Sequence, residues 1–175
     1  MVIKLSRYYG DGEVTKSVME VFMEGEAEPR LMCEAREPQF RDYGEAFPGA
    51  SRFCLPRGRW RLKAGRSPYG PMGLRVPKCP GHRQVFIGHR WDRQWFEGEV
   101  LIGEAAFHFY TDEEGNEVEY PPKRRIRNGE EVFGRLDALV YEAFGNGEEL
   151  WMEVVNEVSP SADEDDKNRI NQMAK

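Results

Sequence analysis

The stretch "NGEEVFGRLDALVYEAFGNG", residues 128–147, carries the pattern of a long amphipathic helix. Spacings of three, four and seven put its apolar residues on one face: Val132, Phe133, Leu136, Leu139, Val140, Ala143 and Phe144. Asn128 and Glu131 have the spacing of a capping box, in which each side chain bonds a free amide of the first turn. Gly145 or Gly147 can end the helix in a left-handed conformation.

The sequence on both sides of this helix is typical of short strands. Val-rich or alternating runs, separated by Gly, Pro and Asp turns, lie within 14–25, 30–38, 52–65, 74–89 and 99–120. After the helix, "EELWMEVVN" alternates apolar residues and predicts a closing strand over about 149–156. Many strands, one helix over about 130–145 and one more strand predict an α+β domain that is mostly β, a small mixed barrel or sandwich.

Length and charge limit the classes of protein to which the chain can belong. Its 175 residues, 39% of them hydrophobic, suffice for one domain with its own core, which we place at 1–156. Residues 157–175 are polar and predict a C-terminal tail outside that core. A net charge of −6 disfavours a general nucleic-acid binder, because such proteins need cations to displace phosphate counterions.

The sequence gives little sign of targeting, cofactor or metal. No stretch has the form of a signal peptide or of a membrane span, so we expect a cytoplasmic protein as synthesised, with no membrane partner and with export by another route as the alternative. Cys33, Cys54 and Cys79 are an odd set and predict reduced thiols. Cys79 and His82 form one close ligand pair, whereas a structural zinc site usually has two. We therefore predict no metal and no cofactor.

The segment "GHRWDRQWFEGEVLIGEA", residues 88–105, has the composition of a site. It combines the candidate catalytic residues His89, Asp92 and Glu99 with the candidate binding residues Arg90, Trp91 and Trp95. A catalytic histidine needs a carboxylate within hydrogen-bond reach, and exposed tryptophans stack on sugars or peptides. Glu97 and Glu99 would share one face of a strand and form an acid/base pair. The alternatives are a histidine that caps a strand and two solvated acids.

A second candidate surface is a local basic cluster. It consists of Arg52, Arg57, Arg59, Arg61, Lys63 and Arg66, with Trp60 and Tyr69 interleaved. Such a cluster binds an anionic polymer, or it is one face of a hairpin that the 31 acidic residues balance. The net charge favours the balanced face. From this cluster Arg59 is the residue that we predict to contact a ligand.

The order of several short motifs resembles a bacterial and phage family of unknown function, common in Bacteroides-type genomes. The motifs are "CEAREP" (33–38), "CLPRGRWRL" (54–62), "RVPKCPGHRQVFIGH" (75–89), "FEGEVLIGEA" (96–105) and "FGRLDALVYEAFGNGEELWMEVV" (133–155). The histidine and cysteine of that family are in turn similar to those of L,D-transpeptidases, in which a thiolate attacks a peptidoglycan peptide. By this resemblance His89 falls on the histidine and Glu99 on the cysteine. Because a carboxylate is a weak nucleophile, the resemblance implies that thiolate chemistry is lost here.

Three functions follow from these patterns, in order of preference. The first is a non-catalytic binding or assembly module with a degenerate transpeptidase-like site, phage- or cell-wall-associated, that binds a peptidoglycan fragment or a protein. The second is a peptidoglycan-directed hydrolase or transferase that uses His89 with Asp92, Glu97 or Glu99. The third is an intracellular structural or regulatory subunit. The oligomeric state is not predicted by the sequence.

Overall fold

The computed structural model describes residues 1–10, 14–40, 54–66, 73–79, 85–89, 99–105, 108–111, 114–115, 117–120 and 126–156. Within them the fold is mostly β with a single helix, as predicted. The strands are β1 Val2–Gly10, β2 Val14–Phe22, β3 Leu31–Pro38, β4 Gly58–Arg61, β5 Lys63–Ala64, β6 Leu74–Val76, β7 Val85–Gly88, β8 Val100–Ala105, β9 His108–Thr111, β10 Glu117–Tyr120, β11 Ile126–Arg127 and β12 Trp151–Asn156. The helix α1 spans Gly129–Gly145. The predicted tail lies outside the described residues.

The main sheet curls into a nearly closed barrel. Its strands run in the order β4-β12-β1-β2-β3-β8-β7-β6-β5, and β11 adds to β8. The two ends of this order are consecutive in the chain, because only Leu62 separates β4 from β5. β1 pairs with β12 and β7 with β8 in parallel, and the remaining pairs are antiparallel, so of the two predicted architectures, a mixed barrel or a sandwich, the structure has the barrel. β9 and β10 form a separate hairpin.

The core fills the inside of the barrel and extends under the helix. Every second residue of the long strands points inward, so that Leu5 of β1 stands opposite Met19 of β2, and Ala35 of β3 stands opposite Ile102 of β8. All four side chains are buried, and Leu136 of α1 joins the same hydrophobic cluster. Burial of an aliphatic side chain stabilises the fold by about 1.5–3 kcal/mol. The domain is therefore held together by one continuous core.

The C-terminal end of α1 is as the sequence predicts, and the N-terminal end is not. Gly147 has a φ of 72° and supports the end of the helix, where the Glu148 amide donates to the Ala143 carbonyl at 2.9 Å. The predicted capping box is wrong. Asn128 has a φ of 50° and makes no side-chain cap; its amide donates instead to a Glu104 carboxylate oxygen at 2.6 Å.

The predicted apolar face of α1 is correct except in its last turn. The buried residues are Val132, Phe133, Leu136, Val140 and Ala143. Phe144, which the periodicity assigns to the same face, is 66% exposed. It lies at the edge of the stripe, one residue before the helix ends. Among the described residues, no helix has the length and apolar character that crossing a membrane requires.

Candidate functional site

The predicted catalytic residues His89 and Glu99 belong to neighbouring parallel strands. Ile87 is paired with Val100, and Gly88 with Leu101. Continuing this register puts His89 level with Ile102, three residues beyond Glu99. At about 3.3 Å per residue, this offset amounts to roughly 10 Å along the strands. The strand pairing thus separates the backbones of His89 and Glu99. That their side chains act together in catalysis stays a prediction.

The surroundings of His89 and Glu99 differ from an open cleft. The His89 ring packs against the Phe133 ring of α1, with centroids 5.0 Å apart and planes tilted by 45°. A Cβ at Gly129 would lie 3.1 Å from the His89 carbonyl oxygen, so this glycine lets the start of α1 approach the end of β7 closely. Glu99, just before β8, is only 3% exposed. The strand end that carries His89 is thus packed against the helix.

The remaining residues predicted from this segment lie outside the described part of the chain. They are Arg90, Trp91, Asp92, Trp95 and Glu97. Their assignments as catalytic or binding residues therefore stay predictions. His82, considered above as a metal ligand, also lies outside. Within the ranges that the structure describes, no three His, Cys, Asp or Glu side chains come close enough to hold a metal ion.

Cys33 and Cys79 are not in environments that activate a thiol. Burial raises the pKa of Cys33 to about 12. Burial, and then the negative charge of Glu37, raise the pKa of Cys79 to about 12. Cys54 is fully buried. With these pKa values, Cys33 and Cys79 remain almost entirely protonated at neutral pH. Because the thiolate is the nucleophile in acyl transfer, the two thiols are unreactive there.

A buried ion pair joins three strands of the barrel. Arg7 and Glu37 are both 0% exposed and form two parallel bonds, Nε to Oε2 at 2.8 Å and Nη2 to Oε1 at 2.7 Å. Arg7 also donates to Asn156 Oδ1 at 3.0 Å and to the Leu55 carbonyl. Glu37 in turn accepts from the Leu55 amide at 3.0 Å. The pair is thus enclosed by further partners, and it ties β1, β3 and β12 to the segment before β4.

An exposed surface on β4 and β12 contains the predicted ligand contact Arg59. The Arg59 guanidinium carbon lies 4.7 Å from the centroid of the Trp151 ring, and its Nε is 3.4 Å from a Glu153 oxygen. Arg61 Nη2 is 2.8 Å from a Glu149 oxygen, and the Trp151 indole N–H donates to the other oxygen of Glu149 at 3.3 Å. We call these five residues the Arg59–Trp151 face.

The strand register explains why these side chains meet. Trp151 is paired with Arg61, and Glu153 with Arg59, so all four alternate onto the same outer side of the sheet. The face continues onto β1, where Val2 is the other neighbour of Trp151. Glutamates partner both arginines, as the balanced-face interpretation of the basic cluster predicts. The sequence indicated Arg59, but it gave no sign of Trp151, because only the β4–β12 pairing brings the two together.

The Arg59–Trp151 face combines three kinds of recognition group. The indole offers a flat apolar surface, the guanidinium groups donate to carboxylates, and the glutamates accept from hydroxyls and amides. The side chains of Arg59 and Arg61 remain 57% and 62% exposed. A ligand can therefore reach them without any movement of the core.

Comparison with known proteins does not assign the chain to a family. No family model matches the chain, and neither a curated protein nor a solved structure matches it. The resemblance to the bacterial and phage family stays a prediction.

Proposed function

We propose that this protein is a binding or assembly module without catalytic activity, and that the Arg59–Trp151 face contacts its ligand. One observation carries the proposal: the Arg59 guanidinium is held over the Trp151 ring on an exposed part of the sheet. Cation–π contacts at exposed sites contribute only about 0.5–1 kcal/mol to stability. The arrangement therefore adds little to folding, and it presents a charged donor and an aromatic surface side by side.

The position of Trp151 favours a preformed recognition surface. β12 lies between β4 and β1, so the backbone of Trp151 is hydrogen-bonded into the barrel from both sides. Its indole N–H is oriented by Glu149, which also holds Arg61. A surface that is already ordered loses less conformational entropy when it binds.

The state of the candidate nucleophiles supports a module that binds without reacting. The thiols of Cys33 and Cys79 are neutral at physiological pH because their pKa values are raised to about 12. Glu99 is buried at 3% exposure, and the register offsets it from His89. A carboxylate in that position is a poor replacement for a thiolate, because its acylation would give a reactive anhydride.

We propose a peptidoglycan fragment as the ligand, in a cell-wall or phage-associated setting. Such a fragment consists of sugars joined to a short peptide with free carboxylates. A peptide carboxylate would draw the Arg59 guanidinium away from Glu153 and from the Trp151 ring, and the sugar ring would stack on the indole surface that this uncovers. Glu153, thereby released, would accept hydrogen bonds from sugar hydroxyls.

Calorimetric titration with a purified disaccharide-peptide tests the proposal. We expect Trp151→Ala and Arg59→Gln each to weaken binding by about tenfold, since contacts of this kind contribute roughly 1–2 kcal/mol. Arg127→Gln is the matched control, because Arg127 is an exposed arginine on β11. The proposal fails if the wild-type protein does not bind, or if both face variants bind as well as the control.

A turnover assay on the same fragment separates binding from catalysis. We expect the protein to leave the fragment unchanged. Bond cleavage or transfer that is lost in His89→Ala and in Glu99→Gln would overturn the non-catalytic proposal and establish a hydrolase or transferase. Binding of a host protein in place of the fragment would instead support a regulatory subunit.

A further inference from the structure

The outward side of α1 carries two large aromatic side chains although it faces solvent. The exposed residues of α1 are Glu130, Glu131, Gly134, Arg135, Ala138, Tyr141, Glu142, Phe144 and Gly145. Four of these nine are charged, and the other five are two glycines, Ala138, Tyr141 and Phe144. The opposite side of the same helix packs into the core. The side of α1 that points away from the barrel is thus a mixture of charged and uncharged residues, and the placement of the uncharged ones decides what it can contact.

Two aromatic side chains form the most exposed apolar part of this surface. Phe144 is 66% exposed and Tyr141 is 50% exposed. Residues three apart on a helix are neighbours, so the two rings form one patch. Clustered exposed apolar side chains mark interaction sites, whereas isolated ones need no explanation. This patch is the feature that calls for a partner.

The order of charges along the helix indicates which partner fits. Arg135 and Glu142 lie on the same side of the outward face, one in the first half of the helix and one in the second. An antiparallel second copy of α1 reverses this order, so each Arg135 comes near the Glu142 of the other copy. A parallel copy would instead place like charges together. The surface is therefore complementary in charge to itself.

The sizes of the outward side chains fit the same arrangement. Gly134, Ala138, Tyr141 and Gly145 are separated by four, three and four residues, a spacing that is the same in both directions. In an antiparallel pair of this register Tyr141 faces Ala138, large against small, and Arg135 lies two residues, or about 3 Å along the axis, from the level of Glu142 in the other copy. Gly134 faces Gly145, and a Cβ at either glycine would meet nothing within the chain. The backbones can approach closely there without a clash.

We propose that the outward face of α1 binds α1 of a second copy of this chain in an antiparallel, two-fold symmetric pair. Tyr141 and Phe144 provide the apolar contact, and Arg135 and Glu142 set the direction. A two-fold interface uses the same patch on both subunits. The spacing of the outward residues, which is the same in both chain directions, allows this. The proposal does not depend on the ligand of the Arg59–Trp151 face, which lies on β4 and β12.

Analytical ultracentrifugation of the full chain over a range of concentrations tests this pairing. We expect a reversible dimer that Ala138→Glu weakens by at least about tenfold, because it puts a charge at the centre of the apolar contact. Glu130→Gln, an exposed change in the first turn, is the control and leaves the dimer intact. Circular dichroism verifies that each variant is folded. A wild-type protein that stays monomeric at every concentration, or a dimer that Ala138→Glu leaves unchanged, overturns the proposal.

A charge exchange tests the direction of the pair. Arg135→Glu and Glu142→Arg, made singly, each place like charges opposite each other and weaken the dimer. The double variant restores the opposite charges and recovers dimerisation. Because Glu142 also lies 3.3 Å from Arg30 within the chain, recovery by the double variant is the decisive readout. Failure to recover, with the fold intact, refutes the antiparallel arrangement.

Discussion

The barrel carries two arginine–glutamate pairs that have similar chemistry and opposite surroundings. Arg7 and Glu37 are fully buried, and they bond to each other, to Asn156 and to the Leu55 backbone. Arg59 and Glu153 are 57% and 41% exposed, and the arginine shares its face with Trp151. Water is excluded from the first pair and reaches the second. Burial therefore makes the first pair a structural clamp and leaves the second available to a ligand.

The largest expected effect comes from breaking the buried pair. Glu37→Gln removes the carboxylate to which the buried Arg7 guanidinium makes two bonds. Removal of one partner of a buried pair costs about 3–5 kcal/mol, because the remaining charge is not solvated. We expect the free energy of unfolding, measured by urea denaturation, to fall by that amount. Glu153→Gln is the matched exposed control, and an equal loss in both variants would contradict the distinction between the two pairs.

Removing both buried charges should restore much of the lost stability. The double variant Arg7→Met, Glu37→Leu removes both charges of the pair, and apolar side chains occupy the same space. We expect it to unfold at a higher urea concentration than either single variant. Asn156 and the Leu55 backbone lose a partner, so recovery is incomplete. A double variant less stable than both single ones would show that the clamp stabilises the fold beyond its charge balance.

Raised thiol pKa values predict a loss of stability at alkaline pH. The pKa values of Cys33 and Cys79 rise from 9.0 to about 12 in the folded state. Their contribution is complete below pH 9, where both states hold the proton, and is lost as the pH rises toward 12. We expect the unfolding free energy to decline over this interval, and Cys79→Ala to reduce the decline. Alkylation at pH 8 should be slow in the folded protein and fast after unfolding.

The parts of the fold that the sequence predicted correctly depend on local periodicity. β2, β3, β12 and α1 each have an apolar repeat that stands out within a single window. β1 was missed although it is central to the sheet, because Arg7 occupies an inward position and looks like a surface residue. Its partner Glu37 is distant in sequence, so the charge balance becomes visible only in three dimensions. The wrong cap at Asn128 has a similar cause, since the close approach at Gly129 is a tertiary contact.

The candidate site was predicted only in part, for the same physical reason. Arg59 stood out because it lies in a run of basic residues. Trp151 did not, since it alternates with core residues in a strand that looks ordinary. The register of β4 on β12 brings Arg59 and Trp151 together. The sequence of a single strand does not determine its register on a strand that is distant in the chain. The offset between His89 and Glu99 is a register property as well.

The smallest expected effect on stability is at the exposed pair. Arg59→Gln removes the contact with Glu153 and the stacking on Trp151, yet solvent screens the first, and the second is weak at the surface. We expect the unfolding free energy to change by only about 0–1 kcal/mol, and the difference to shrink further when salt is raised. Urea denaturation at low and high salt measures this directly. Ligand affinity, in contrast, should fall for the same variant, because a ligand carboxylate loses its charged donor. A large loss of stability in Arg59→Gln would make the Arg59–Trp151 face a part of the structural framework and remove the physical basis for assigning it to binding.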